Sequence, residues 1–260
     1  QSWEPAHTVI DCPGSGEDAS SVIDSCMVQD PHTGRIHVLI DHFPGGIGQP
    51  NCWASTGFDE QGRRLLRDLG DERYVVEEDG AVTTIDGQAT AFRVEADGTV
   101  LRDGHPAGNI ELAPGADPDE SLLAIPTSYL QIAHSDDDGV TWSKPRDLNP
   151  QLKQPWMRFL GTCPGNGIAL RHGPHAGRLV VPLYFNNDRN WLAMCATVAY
   201  SDDHGETWRL SHGPNEGRET SDGQLDPQIF VDETWSLHEA AVVERQDGTL
   251  LLFMRNQHPH

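Results

Sequence analysis

The octapeptide Ser135-Asp136-Asp137-Asp138-Gly139-Val140-Thr141-Trp142 recurs as Ser201-Asp202-Asp203-His204-Gly205-Glu206-Thr207-Trp208, and this repetition limits what the chain can fold into. Both copies read S-x-D-x-G-x-T-W, and both follow a β-type run, Tyr129-Leu130-Gln131-Ile132 and Ala196-Thr197-Val198-Ala199-Tyr200. The spacing is that of a tight turn. The Asp accepts hydrogen bonds from backbone N–H groups a few residues on, and the Gly takes positive φ at the reversal. The Thr re-enters a strand, and the Trp covers the turn and packs between neighbouring sheets. A broken third copy opens the chain, where Gln1-Ser2-Trp3-Glu4-Pro5 matches the tail Thr141-Trp142-Ser143-Lys144-Pro145; on this reading the sequence begins inside a turn. The interval from Trp3 to Trp142 is roughly twice that from Trp142 to Trp208, which places an insertion in one repeat of a propeller-like array.

Between the motifs the pattern is of strands and turns. Val22 to Val28 and Arg35 to Ile40 read as a hairpin around Asp30-Pro31-His32-Thr33-Gly34, and Asn51 to Gly57 as a further short strand. Residues 58–121, punctuated by four Asp-Gly pairs, read as inserted small hairpins standing off one sheet. Leu148 to Thr162 is expected to be irregular, followed by a hairpin from Gly167 to Phe185. Ser211 to Leu237 reads as a long surface loop, and Glu239 to Glu244 and Thr249 to Arg255 as a last hairpin around Asp247-Gly248. No convincing amphipathic helix is present. The expected class is therefore all-β, with 1–260 forming part of a β-propeller of four-stranded antiparallel sheets and covering roughly three to four blades.

Composition narrows the partners. A formal charge of −22 and a pI near 4.7 argue against nucleic acid and anionic membranes, which demand clustered Lys and Arg. Only Lys144 and Lys153 are lysines, so arginine supplies nearly all cationic chemistry, and its planar fork suits carboxylate ligands. Cys12, Cys26, Cys52, Cys163 and Cys195 share no C-x-x-C spacing, so buried free thiols are expected rather than a zinc site or a disulfide framework. No apolar run is long enough to span a bilayer as a helix. His134, His172, His175 and His212 lack a paired carboxylate spacing and read as surface residues.

The repeated S-x-D-x-G-x-T-W resembles the Asp box of the sialidases (neuraminidases), a six-bladed propeller family in which these turns lie away from the active site. A sharper resemblance is the run Leu237-His238-Glu239-Ala240-Ala241-Val242-Val243-Glu244, continued by Asp247-Gly248-Thr249-Leu250-Leu251 and ending at Arg255-Asn256. It is similar to the sialidase segment that carries a catalytic Glu and, sixteen residues later, an Arg. Family members often have Asn before the Glu, where this chain has His238. The run Trp156-Met157-Arg158-Phe159-Leu160-Gly161-Thr162, continued by Pro164-Gly165-Asn166-Gly167-Ile168-Ala169-Leu170, resembles the loop and strand before the next box in secreted bacterial sialidases. Gly57-Phe58-Asp59-Glu60, with Gly62 and Arg64-Leu65-Leu66, looks like an insertion known in a subset of them.

The resemblance implies retaining hydrolysis of terminal α-linked sialic acids on glycans, glycoproteins or glycolipids, outside the cell or at its surface, without a cofactor. Sialidases use a Tyr nucleophile, which suits a substrate whose anomeric carbon already carries a carboxylate. A Glu takes the phenolic proton, an Asp protonates the leaving group, and three arginines clamp the substrate carboxylate. By this mapping Glu239 is the base and Arg255 one clamp arginine, while Asp24, Arg158 and Phe159 contact substrate. The acid Asp and first clamp Arg are expected before Gln1, and the third Arg and the Tyr after His260. The hairpin is expected to hold a buried Glu beside the clamp, a pairing that a purely glycan- or protein-binding propeller, the competing class, has no use for.

Overall fold

The computed structural model describes residues 5–116, 121–221 and 223–257, so the broken motif at 1–3 lies outside the described residues. The first sheet starts from β1 (Ser21–Gln29) and β2 (Ile36–Phe43), antiparallel about the expected Asp30 turn, in which Asp30 accepts from His32 N and Thr33 Oγ1. The chain then leaves this sheet for a meander of β3 (Leu65–Arg67), β4 (Arg73–Val76), β5 (Ala81–Thr84), β6 (Ala89–Val94), β7 (Thr99–Arg102) and β8 (His105–Asn109), closed on its far edge by β9 (Leu123–Ala124). Segment 58–121 is thus one continuous sheet rather than separate hairpins. The physical reason is its own apolar layer of Leu66, Val82, Val100, Ile110 and Leu122, which isolated hairpins could not bury. Asn51 to Gly57 is a turn and loop, not a strand.

The chain returns with β10 (Tyr129–Ser135) and β11 (Arg146–Asp147), giving the order β11-β10-β2-β1. A four-residue helix α1 (Asn149–Leu152) follows, and then β12 (Met157–Thr162), a strand where irregular chain was expected. Phe159 and Leu160, on its opposite faces, are wholly buried in two separate apolar clusters, and this tertiary burial outweighs the weak local signal. Next, β13 (Gly165–Asn166) pairs parallel with β1 and links the sheets, while β14 (Ile168–Ala169), β15 (Leu179–Asn187), β16 (Met194–Ser201) and β17 (Arg209–Leu210) complete the second sheet. The described residues of 211–236 are loop but for the short pair β18 (Glu219–Thr220) and β19 (Gly223–Gln224) and a 3-10 turn. The last unit is the hairpin β20 (Leu237–Glu244) and β21 (Leu250–Asn256). Leu39, Leu130, Leu160, Leu183, Phe185 and Trp208 lie in the apolar layer that joins the two five-stranded sheets.

Both repeated octapeptides form the same turn, between the third and fourth strands of their sheets. Ser135 Oγ accepts from Gly139 N at 2.8 Å, Asp137 accepts from Thr141 N at 2.8 Å and from its hydroxyl at 2.7 Å, and Trp142 Nε1 donates to Gly139 O at 3.1 Å. The second copy repeats every bond, at 2.9, 2.9, 2.6 and 3.0 Å. The second box also docks onto the first sheet: Arg35 bridges Asp136 and Glu206, and His204 Nδ1 contacts Asp30 at 2.7 Å. Histidines expected at the surface acquire carboxylate neighbours, His134 with Asp136 at 3.8 Å and His212 with Glu216.

These turns carry an acid signature. Burial pushes the Asp203 carboxyl up, but hydrogen bonds from Thr207 and Ser201 outweigh it and hold it below the ordinary value. A depressed carboxylate stabilises the fold above its unfolded value near ~3.9, and that contribution is lost as pH falls through the lower folded value. Asp203→Ala should therefore lower the melting temperature by a few degrees at pH 7. The gap to wild type should close as the pH is taken below about 4. A gap that persists unchanged at pH 2.5 would show that the carboxylate charge is not what holds this turn.

Candidate active site

The last hairpin reverses at Asp247-Gly248, where Asp247 Oδ1 accepts from Thr249 N at 3.0 Å and Gly248 has φ of 80°. Its open end pairs Leu237 with Asn256 and His238 with Arg255, but the register then slips before Ala241 meets Phe253. The slip is a bulge at Glu239, whose φ is 48°. A positive φ is uncommon for a non-glycine residue, and bulges re-aim side chains beside functional sites. The bulge turns the Glu239 carboxylate onto Arg255, with Nη1 at 3.1 and 3.3 Å from the two carboxylate oxygens. The side chains are 45% and 58% exposed, so the pair stands on an open face and the expectation of a buried Glu is corrected.

A second bulge of the same kind lies in the first sheet. Ile23 pairs with Asp41 and Cys26 with Leu39, leaving two residues of β1 opposite Ile40, and Asp24 has φ of 52°. Burial first, and then the charge of Glu239, push the Asp24 carboxyl above its ordinary value, so the two bulged carboxylates are electrostatic neighbours. Of the sequence-derived candidates, Glu239 and Arg255 are thus in direct contact, and Asp24 lies within reach of the charge of Glu239. The repeated turns follow Ser135 and Ser201, and those strand ends pair with Ile36 and Leu179, the opposite ends of β2 and β15 from Asp41 and Tyr184.

Arg158 and Phe159 are placed differently. Arg158 sits at a third irregularity, between Met157 and Phe159, and its guanidinium donates to Cys52 O at 2.7 Å and Pro50 O at 2.9 Å. Phe159 is fully buried, stacked on Phe43 with centroids 6.0 Å apart and touching Tyr184 at 4.9 Å. These contacts make Arg158 the brace of the 50–53 loop and Phe159 a core aromatic, so neither side chain presents itself as a ligand group here.

Sequence reasoning missed several neighbours. Tyr184 receives a hydrogen bond from Gln49 at 2.9 Å, and its ring lies 6.0 Å from that of His238, a buried imidazole whose basicity is reduced by burial and by Arg255. Lys153 is buried, with Nζ bonded to Thr127 Oγ1, Ser128 O, Ser128 Oγ and Arg158 O, and burial pulls its ammonium down to about 7. Asp41 is fully buried and accepts from Thr162 N at 2.7 Å. The available signal was a lone carboxylate inside the otherwise apolar run Val38-Leu39-Ile40 that leads into Asp41-His42-Phe43. Four of the five cysteines are buried free thiols, with Cys12 partly exposed. Among the described residues no three His, Cys, Asp or Glu side chains converge as a metal site.

Residues 118–260 match the family described as BNR repeat-like domain. Over 267 aligned positions the chain is 30% identical to the anhydrosialidase of Macrobdella decora, covering 92% of this chain and 32% of that protein. It is 27% identical to sialidase B of Streptococcus pneumoniae serotype 4, covering 91% of this chain and 34% of that protein. The chain thus spans about a third of the length of these curated relatives. Among solved structures, the intramolecular trans-sialidase from Ruminococcus gnavus in complex with oseltamivir carboxylate superposes with a TM-score of 0.72 at 26% identity, over 94% of this chain and 51% of the other. The leech intramolecular trans-sialidase complexed with 2,7-anhydro-Neu5Ac gives 0.71 at 26% identity, over 95% and 38%.

Proposed function

Because this chain belongs to the sialidase family of BNR-repeat β-propellers, we propose that it supplies part of the catalytic face of an enzyme releasing terminal α-linked sialic acid from glycans. The observation that carries the reading is the Glu239–Arg255 pair, held at 3.1 Å by a bulged hairpin. In this reading Glu239 removes the proton of a Tyr nucleophile contributed by sequence beyond these 260 residues. Arg255 takes one part of the substrate carboxylate, and Asp24 contacts the sugar. The acid Asp and two further arginines come from that same additional sequence. An extracytoplasmic location, where sialylated glycans are displayed, goes with this activity.

A finer reading concerns the product. Each of the two superposed structures matches at least 94% of this chain, which leaves too few residues unmatched to contain the inserted sheet. Both are intramolecular trans-sialidases, and the leech one holds 2,7-anhydro-Neu5Ac. Intramolecular transfer is therefore the second reading beside hydrolysis. Incubating the full-length protein with a fluorogenic α-sialoside and weighing the released sugar by mass spectrometry tests both. Free sialic acid supports hydrolysis, and a product lighter by one water supports intramolecular transfer. Sialoside binding with no turnover would move the protein into the non-catalytic class.

The clamp makes a separate prediction. Arg255→Lys keeps the charge but loses the planar fork, so it should weaken binding of a carboxylate-bearing inhibitor by about 10-fold or more and leave affinity for an uncharged analogue nearly unchanged. Isothermal titration reads this directly, and unchanged carboxylate affinity would reject the clamp role.

A further inference from the structure

We infer that Asp41 is a positioning residue for the candidate site: seated against Gly161, it fixes Thr162, and Thr162 in turn fixes the left-handed bulge at Asp24. This rests on the reading of Asp24 and Glu239 as substrate-facing groups.

The geometry is a short relay between the two five-stranded sheets. Asp41 on β2 accepts the Thr162 N–H of β12 at 2.7 Å. The Thr162 hydroxyl then donates back across the same seam to the carbonyl of Asp24 itself. Asp41 is also the registered partner of Ile23, the residue just before the bulge, so β1 is held from two directions at that point. The approach needs a glycine: a Cβ on Gly161 would lie 2.2 Å from Asp41 Oδ2 and 2.2 Å from Phe159 Cζ. The backbone there is unexceptional, so the glycine serves clearance rather than conformation.

Stability alone gives no reason for a carboxyl at this position. Among the described residues Asp41 Oδ2 is buried without a hydrogen-bond partner, which costs stability. Burial pushes the carboxyl well above its ordinary value, the Thr162 N–H opposes this, and the nearby Asp24 reinforces it. A well-packed apolar side chain would be expected to serve the fold as well or better. What it could not do is hold the Thr162 amide, and through the adjacent hydroxyl the Asp24 carbonyl. A non-glycine residue at φ of 52° persists only where its surroundings over-determine it, and Thr162 and Ile23 supply two such constraints.

The test uses three variants of the full-length protein. Asp41→Ala removes the acceptor, Asp41→Asn keeps an acceptor oxygen of the same shape, and Thr162→Val exchanges the hydroxyl for a methyl that cannot donate. Asp41→Ala and Thr162→Val should each raise KM for an α-sialoside by about 10-fold with kcat changed less than about threefold, the pattern of lost substrate contact. Asp41→Asn should recover KM to within about twofold of wild type. Amide hydrogen exchange over residues 21–29 should speed up in Asp41→Ala and Thr162→Val but not in Asp41→Asn. If Asp41→Ala does not fold, Thr162→Val still decides the matter, because the Thr162 N–H bond to Asp41 is left in place. Unchanged KM and unchanged exchange in Thr162→Val would overturn the inference, as would an Asp41→Asn variant no better than Asp41→Ala. Failure of the sialidase reading shows itself separately, as a wild-type protein that turns over no sialoside while exchange over 21–29 still follows the three variants.

Discussion

Replacing Glu239 by Gln in the full-length protein is expected to lower kcat for a fluorogenic α-sialoside by ~10²–10⁴-fold, the usual contribution of a positioned general base. The substitution is close to isosteric. The amide oxygen can still accept from Arg255 Nη1, now 3.1 Å from the carboxylate, so the clamp arginine stays where it is. The side chain is 45% exposed, and Gln faces the same left-handed backbone as Glu, so the melting temperature should hardly move. What disappears is the proton acceptor. A phenol of ordinary pKa near ~10 is mostly protonated at neutral pH and needs a base to become a nucleophile. The loss should fall on kcat and kcat/KM together, because the interaction is made as the proton moves and not on binding. A Gln variant as fast as wild type would take Glu239 out of the mechanism. One that lost only binding would make it a substrate contact.

The architecture was legible in the sequence because its punctuation is local. The bonds that shape each turn run among its own Ser, Asp, Gly and Thr, and the second copy repeats them, so an octapeptide contains most of what forms the turn. The Glu239–Arg255 juxtaposition was legible for a similar reason, since a hairpin brings its two ends together without help from the rest of the chain. The larger misses are non-local. Strand β12 forms because Phe159 and Leu160 are buried from both sides, and the meander from Leu65 to Asn109 coheres through a layer drawn from five of its neighbours in space. Asp41 carries no local sign of its role because its partner, Thr162, is 121 positions away. Nothing in the local pattern reports the positive φ of Asp24 and Glu239 either, since both bulges are set by how neighbouring strands register.

The same distinction between local and non-local separates the two motif tryptophans, and Trp208→Ala should destabilise the fold by about 3–5 kcal/mol while Trp142→Ala costs about 1–2 kcal/mol. Their indoles make the same local bond, to Gly205 O at 3.0 Å and to Gly139 O at 3.1 Å, so the turn itself cannot distinguish them. Their surroundings do. Trp208 is 2% exposed, belongs to the main apolar layer, meets His37 of the first sheet edge-on at 6.4 Å, and donates its backbone N–H to Gln151 at 2.8 Å. Gly205 presses so closely on His37 that a Cβ would fall 2.3 Å from Cε1, and the whole second box is thereby locked between sheets. Trp142 is only partly buried, against Val38, Ile40 and Ala133 on the other face of the first sheet. Truncating Trp208 leaves a cavity that neighbours from two sheets cannot close, whereas the space left by Trp142 is open to solvent. Against a total stability of about 5–15 kcal/mol, the Trp208 variant should melt on the order of 10 °C lower, and its ion pair between Arg35 and Glu206 should loosen with the turn. Equal losses for the two alanine variants in urea unfolding would mean that the tryptophan serves the turn alone, and that the seam between the sheets draws its stability from elsewhere.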